Sequence, residues 1–501
     1  MKTFRSSFVS LCVWSVCLVP AGCGGSAPPP ASNPAPAASA APAASGVPVA
    51  AIDAGAPVAP GEAKTATELW EGTLHVGPGM QLRLLLHVTR APDGTLKATC
   101  DSLDQAALGM PVDAITRDKT TLAFTMKAIG ADYSGKLNDP QTVSTGTFTQ
   151  RGMALALTMN KTEKVAELAR PQTPKPPLPY RSEDVSYANA AGKVTLAGTL
   201  TVPQGSGPFP AVVLITGSGA QDRDETLFEH KPFLVIADDL TRKGVAVLRV
   251  DDRGVGGSTG DVVNATSEDL AGDVIAGLAF LKQRKEIDPQ RLGLVGHSEG
   301  GLIAPLVASR SKDVSFAVLL AGPGLTGTEL LLLQNEVVAR AAGLPQDQVR
   351  DANVVNKRIY VALASKRDDK AVAAEIDAIL KEVPGGPASV EGGEEALLKR
   401  VLNPWFRYLV RYDPKPALAK MKCPALALNG EKDLQVPPEE NLAAIRKANP
   451  HVVTKELPGL NHLFQPAKTG LPNEYATIET TFDPSALAEI STFVLAQTAK
   501  K

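Results

Sequence analysis

The sequence predicts a doubly wound, mostly parallel α/β sheet with an inserted helical lid, preceded by a small antiparallel β domain. Three observations predict it. From about residue 180 onward, short unbroken apolar runs alternate with helical patterns, as strands buried on both faces of a parallel sheet do. Between about 67 and 170, apolar and polar residues alternate with period two among closely spaced turn signals. Finally, Gly296-His-Ser-Glu-Gly300 falls where an apolar strand gives way to a small-residue helix.

The chain begins with a targeting pattern. Lys2 and Arg5 form a short positive region, Phe8 to Pro20 is mostly apolar, and Ala21-Gly22 precede Cys23. The apolar stretch is too short to span a bilayer as a stable helix, so 1–22 reads as a signal peptide. Small residues directly before a cysteine resemble the bacterial lipobox, which implies that Cys23 is lipidated as the first mature residue. Pro20 stands where that pattern favours Leu, and ordinary secretory cleavage near Ala21 is the alternative. Residues 24–64 are nearly all Ala, Pro, Ser, Gly and Val. They hold too little apolar surface to offset the entropy of ordering, so 23–64 reads as an anchored tether.

In 65–170, runs such as Leu82–Val88 and Thr120–Met126 are separated by turns at Pro92-Asp-Gly94 and Asn138-Asp-Pro140. A small β domain follows from that spacing, with His75 and His87 as sheet-face residues. The proline-rich stretch 171–179 reads as a stiff linker.

The domain at 180–501 has candidate strands at Ala211–Thr216, Val245–Val250, Arg291–Val295, Phe316–Leu320, Ala425–Leu428 and Val452–Leu457. Its clearest helix starts at Thr266 or Ser267 as N-cap. There Leu270, Val274, Leu278 and Leu281 share one face. Helical stretches near 329–341, 346–365, 371–381 and 394–410 fill the interval between two strands and read as a lid at about 324–415. Its end, Asn403-Pro-Trp-Phe-Arg-Tyr-Leu409, carries aromatics that either line a pocket or pack the lid on the sheet.

Charge and cysteine content exclude some roles. With 51 basic and 53 acidic residues well mixed, no basic stripe exists to neutralise phosphates, so no nucleic-acid partner is expected. Of five cysteines, Cys12 and Cys17 leave with the signal and Cys23 is the lipid site. Cys100 and Cys423 lie in different predicted domains, so the fold is expected to rest on its core rather than on disulfides.

The chemistry concentrates around Ser298. A serine on a sharp strand-to-helix turn is held clear of the sheet, and Gly296 and Gly300 spare a collision with the neighbouring strand and helix. A serine needs a base, itself oriented by an acid. Six histidines allow elimination. His75 and His87 belong to the β domain, and His297 is expected to point away from the nucleophile's face. His230 lies in an early charged segment, and His451 follows a surface turn. His462, in a loop past the last strand, remains as base. Asp433, after the preceding strand, is the acid, with Glu431 a weaker rival. The backbone amides of Glu299 and of Ser218, or alternatively Gly219, are expected to form the oxyanion hole. Asp251 and Asp252 read as parts of a structural turn under the site. The charge run Asp222 to Glu225 reads either as a network fixing its loop or as substrate-binding.

Four segments, Ile215–Glu225, Asp252–Ser258, Gly296–Gly301 and Gly459-Leu-Asn-His462, resemble the bacterial α/β-hydrolase superfamily. The closer likeness is to its exported esterase and serine-aminopeptidase-like group, in which a β domain often precedes the catalytic one. The resemblance implies a Ser298, Asp433, His462 triad, an acyl-enzyme intermediate and no metal or organic cofactor. The triad together with the lipobox-like start leads to the expectation of an envelope-anchored hydrolase of small or medium acyl esters, attached to the membrane through the lipid; the oligomeric state is not legible in the sequence. A peptidase or thioesterase on the same triad stays open, with Glu329 or Glu336 as possible partners of a substrate ammonium. So does a non-enzymatic envelope lipoprotein that uses the fold as a binding scaffold.

Overall fold

The computed structural model describes residues 67–499 apart from 78–79, 92, 104–106, 151–152, 165–168 and 384–392. The expected signal peptide, the tether and Cys23 lie outside the described residues. Contacts along the chain separate two compact units, one ending at Val165 and one running from Ala166 to Lys501.

The first unit is a nine-stranded antiparallel sheet. Its strands are β1 (Thr67–Gly77), β2 (Met80–Arg90), β3 (Leu96–Ser102), β4 (Ala107–Pro111) and β5 (Ala114–Arg117), then β6 (Thr121–Met126), β7 (Ala131–Leu137), β8 (Val143–Gln150) and β9 (Met153–Thr162). The order β4-β3-β2-β1-β9-β8-β7-β6-β5 is two meanders joined where β1 pairs with β9. Strict alternation of buried and exposed residues along β7 puts Tyr133 inside, where it joins Trp70, Leu86, Leu122 and Met159 in one core. His87 meets Asp101 across the β2–β3 ladder at 2.7 Å, and His75 is exposed.

The second unit is an eight-stranded sheet in the order β10-β11-β13-β12-β14-β15-β16-β17. Its strands are β10 (Arg181–Asn189), β11 (Val194–Val202), β12 (Phe209–Ile215), β13 (Ala246–Val250) and β14 (Ile287–His297), then β15 (Val314–Leu320), β16 (Ala425–Gly430) and β17 (Val453–Leu457). From β13 to β17 every pairing is parallel. The hairpin β10–β11 was not foreseen. It pairs antiparallel onto β13, and β10 is half-exposed at the sheet edge, so it lacks the long apolar run that marks the central strands.

Helices cover both faces. Ala211, Val213 and Ile215 of β12 point into one core with α2 (Ser267–Lys282) and α3 (Glu299–Ala308). The alternate residues Val212 and Leu214 point to the other face, with α1 (Pro232–Arg242) and α11 (Pro484–Thr498). Thr266 caps α2 in a reciprocal capping box with Asp269, and Val274, Leu278 and Leu281 are buried as the helical spacing predicts.

Between β15 and β16 lies the lid. It comprises α4 (Gly327–Ala341), α5 (Gln346–Ala364), α6 (Asp369–Lys381), α7 (Gly393–Val401) and α8 (Pro404–Arg411). It has its own core, in which Ile359, Leu363, Ile376, Leu380 and Phe406 are fully buried. The single helix expected over 394–410 is two, because Asn403 accepts a cap bond from Phe406 N–H at 2.8 Å and Pro404 opens a new first turn. Two short helices follow, α9 (Lys415–Lys420) before β16 and α10 (Pro438–Ala448) after it.

Candidate active site

Ser298 sits between β14 and α3 with φ 53° and ψ −114°, a conformation costing a non-glycine residue on the order of 1–3 kcal/mol. The surroundings enforce it. Ser298 N–H donates to Leu320 O on β15 at 2.8 Å. A Cβ on Gly296 would lie 2.1 Å from Gly300 O, and one on Gly300 would lie 2.1 Å from Ile215 O. The two flanking glycines are therefore required by backbone packed against backbone.

Asp433 follows β16 in a tight turn and is 1% exposed. Its Oδ1 accepts the N–H groups of Gln435 at 2.9 Å and Val436 at 2.8 Å, which fixes the carboxylate. His462 Nδ1 lies 3.0 Å from Oδ1 and 2.9 Å from Oδ2. Nδ1 thus carries the proton and Nε2 is left as the basic nitrogen. Asn461 braces the loop, its Oδ1 accepting from Leu463 N–H at 3.0 Å and Gln465 N–H at 2.9 Å.

Ser298, His462, Ser218 and Glu299 line one cavity of about 130 Å³. Among the described residues, no hydrogen bond joins the Ser298 hydroxyl to His462, which is common in unliganded sites of this kind. Neither the Ser218 nor the Glu299 N–H makes a turn, loop or cap bond among the described residues, so both are free to donate. The Gly217 N–H is not, because it donates to Glu225 Oε1 at 2.7 Å. Glu431, the rival acid, instead accepts Gly459 N–H at the surface.

One expectation is overturned. His297 does not point away from the site: it lines the same cavity, buried, with Nδ1 2.9 Å from Glu225 Oε1 and Nε2 3.0 Å from His462 O. Glu225, at φ 53°, brings its carboxylate to the elbow, where it meets both Gly217 N–H and His297. The rest of the charge run fixes that loop. Arg223 forks onto Asp251, Arg249 pairs with Asp224, and Asp222 accepts from Asp224 and Thr226 N–H. Asp252 accepts from Thr216 Oγ1 and Gln221 N–H, and burial pushes its carboxyl well above the ordinary range. The turn at Asp251-Asp252 is structural, as expected.

Further residues line the cavity, and Trp405 takes the pocket-lining alternative read for the lid aromatics. Trp405 of α8 lines the cavity, its Nε1 donating to both oxygens of Glu299 at 2.9 Å, while Ser267 Oγ donates to Oε1 at 2.5 Å. Burial raises the Glu299 carboxyl above its ordinary value despite these donors. Phe406 turns into the lid core and Tyr408 stacks on Tyr412, so only the first of the three lid aromatics faces the cavity.

His230 and Tyr475, which sequence reasoning missed, form another wall. His230 Nε2 donates to Tyr475 O at 3.1 Å and Nδ1 accepts from Thr481 Oγ1 at 2.9 Å. Burial, and then the nearby Arg170 charge, pull His230 down to about 4. Arg170 itself donates to the carbonyls of Phe228, Ala476 and Ile478, and Gln172 clamps Thr481 and Phe482. The start of the proline-rich stretch is thereby tied to this wall. Glu329 serves the α4 capping box and Glu336 pairs with Arg340; neither lines the cavity.

Residues 212–468 match the model of the Alpha/beta hydrolase family. The chain is 31% identical over 219 residues to Esterase EstD of Thermotoga maritima, covering 42% of this chain and 51% of EstD. It is 31% identical over 144 residues to the Uncharacterized peptidase YuxL of Bacillus subtilis, covering 27% of this chain and 21% of that protein. The match thus spans about half the length of EstD. Among solved structures, the alpha/beta hydrolase GrgF from Penicillium aligns at TM-score 0.41 with 17% identity, covering 64% of this chain and all of GrgF. The family model covers just over half of the sequence, from within β12 through β17 to the loop that carries His462; the chain belongs to the alpha/beta hydrolase family.

Proposed function

We propose that this hydrolase is a serine esterase acting on small or medium acyl esters through Ser298, Asp433 and His462. One observation carries the reading: the doubly held Asp433–His462 pair opens onto the same cavity as a serine forced to φ 53°. The resemblance to EstD supports the ester class.

In this reading His462 Nε2 takes the Ser298 proton as Oγ attacks the ester carbonyl. The Ser218 and Glu299 amides receive the oxyanion, where such a donor contributes roughly 3–4 kcal/mol. His462 then protonates the leaving alcohol, and water repeats the sequence on the acyl-enzyme. Leu302, Leu330, Leu331 and Leu409 give the cavity an apolar side suited to a short acyl chain. An aminopeptidase needs an unengaged carboxylate for the substrate ammonium. The cavity's two glutamates, Glu225 and Glu299, are both occupied, which favours the ester.

A panel of p-nitrophenyl esters, thioesters and aminoacyl arylamides tests this. Short esters should turn over fastest, and preferred arylamide turnover would overturn it. We further propose that Cys23 anchors the protein in the cell envelope, on the strength of the targeting pattern alone. Mass spectrometry of mature protein should find diacylglycerol on Cys23; an unmodified cysteine would contradict the anchor.

A further inference from the structure

Glu225 and His297 stand outside the reaction just described, yet they contact two of its loops. His297 Nε2 faces the His462 carbonyl at 3.0 Å, and a carbonyl can only accept, so Nε2 carries a hydrogen. Nδ1 faces Glu225 Oε1 at 2.9 Å, the same oxygen that accepts Gly217 N–H at 2.7 Å. A carboxylate oxygen accommodates both donors. A neutral imidazole has one N–H, and two acceptors on opposite sides of the ring call for two.

We propose that His297 is a permanently charged positioning residue, an imidazolium locked to Glu225, that ties the Gly217-Ser218 loop to the loop carrying His462. The proposal rests on the reading of His462 as base and of Ser218 as an oxyanion donor. Both partners are buried, at 8% and 7% side-chain exposure, so each charge is stabilised by the other rather than by water. The groups facing the ring come from three loops. Glu225 follows β12, Asp433 follows β16, and His462 follows β17, its ring centroid 4.8 Å away. The Phe464 edge closes the remaining side. Burial opposes the charge, but Glu225, the His462 carbonyl and Asp433 together hold His297 above its ordinary value.

The pair does what neither loop can do alone. Its carboxylate end fixes Gly217 N–H, leaving the next amide, Ser218, free to face the cavity. Its cationic end fixes the backbone of the very residue whose side chain is the base. Displacing such a group by about an ångström costs on the order of 100-fold in rate.

Histidine-selective ¹⁵N NMR on the full chain tests the charge directly, with the His297 signals assigned by their loss in His297→Asn. The expected result is two protonated ring nitrogens from pH 6 to 9. In Glu225→Gln, which keeps the shape and an acceptor for Gly217, His297 should be neutral at pH 8. One bare nitrogen at pH 8 in the unmodified protein would overturn the proposal. In parallel, Glu225→Gln should lower kcat on a short ester by about 100-fold while KM changes only a few-fold; undiminished kcat would remove the positioning role. Failure of the triad reading is separately visible, because turnover would then survive Ser298→Ala whatever the His297 signals show.

Discussion

Trp405 Nε1 lies 2.9 Å from both carboxylate oxygens of Glu299, so the lid is hydrogen-bonded to the residue directly after Ser298. Glu299 lines the cavity beside Ser298 while its side chain holds the lid helix α8, so lid placement and the proposed reaction centre share one residue. Trp405→Phe keeps a ring but removes the donor, leaving a buried carboxylate with Ser267 as its one remaining partner among the described contacts. A hydrogen bond to a charged group contributes about 1.5–3 kcal/mol, so amide exchange in Pro404–Arg411 should accelerate roughly 10- to 100-fold. Unchanged exchange would show that α8 is held by its other contacts, such as those of Arg407 to Asp369 and to the Ser365 and Arg367 carbonyls, and not by Trp405.

Asp433→Asn tests the orientation of His462. The amide would present a donor where His462 Nδ1 now donates, favouring the tautomer with its proton on Nε2. Ester turnover should fall by about 10⁴-fold, the effect of this change in a serine-protease triad, with the fold intact by circular dichroism. A loss under tenfold would mean that Asp433 is not the orienting acid.

Stability should depend on pH through His230. Its pKa is about 4 in the folded state against about 6.5 unfolded, so between those values the unfolded chain binds more protons. The stabilisation is complete above about pH 6.5 and is lost as pH falls toward 4, a change on the order of 2–3 kcal/mol. Denaturant midpoints measured from pH 4 to 7 should fall on the acid side, and His230→Gln should flatten that slope. An unchanged slope in the variant would assign the acid loss to other groups.

Much of this was legible in the sequence because each signal was local. The apolar runs of the central strands, the capping box at Thr266, and the Gly-x-Ser-x-Gly spacing around Ser298 can each be read within a few residues. The β10–β11 hairpin was missed because β10, at the sheet edge, buries little, and three threonines and a glycine interrupt the apolar run of β11. The break at Asn403-Pro404 was in view, but its cap chemistry was not weighed against the longer helical period. His297 was misplaced for a deeper reason. Its direction depends on Glu225, 72 residues earlier, and on a carbonyl 165 residues later, neither of which has a spacing rule. Similarly, nothing in Pro171–Pro179 announces that Gln172 clamps Thr481 and Phe482.

Gly300→Ala probes the elbow without touching its chemistry. The added Cβ would meet Ile215 O at 2.1 Å, and a backbone atom there cannot step aside cheaply. Thermal unfolding should report a loss of about 3 kcal/mol or more, in line with overpacked cores. A variant of unchanged melting temperature would indicate that α3 is not pressed against β12.

The proposed reaction depends most on Ser298 being the group that attacks. Intact-mass analysis after fluorophosphonate treatment measures this directly. One adduct should form, on the peptide containing Ser298, disappear in Ser298→Ala and form far more slowly in His462→Ala. Equal labelling of Ser298→Ala, or full ester turnover by that variant, would contradict it.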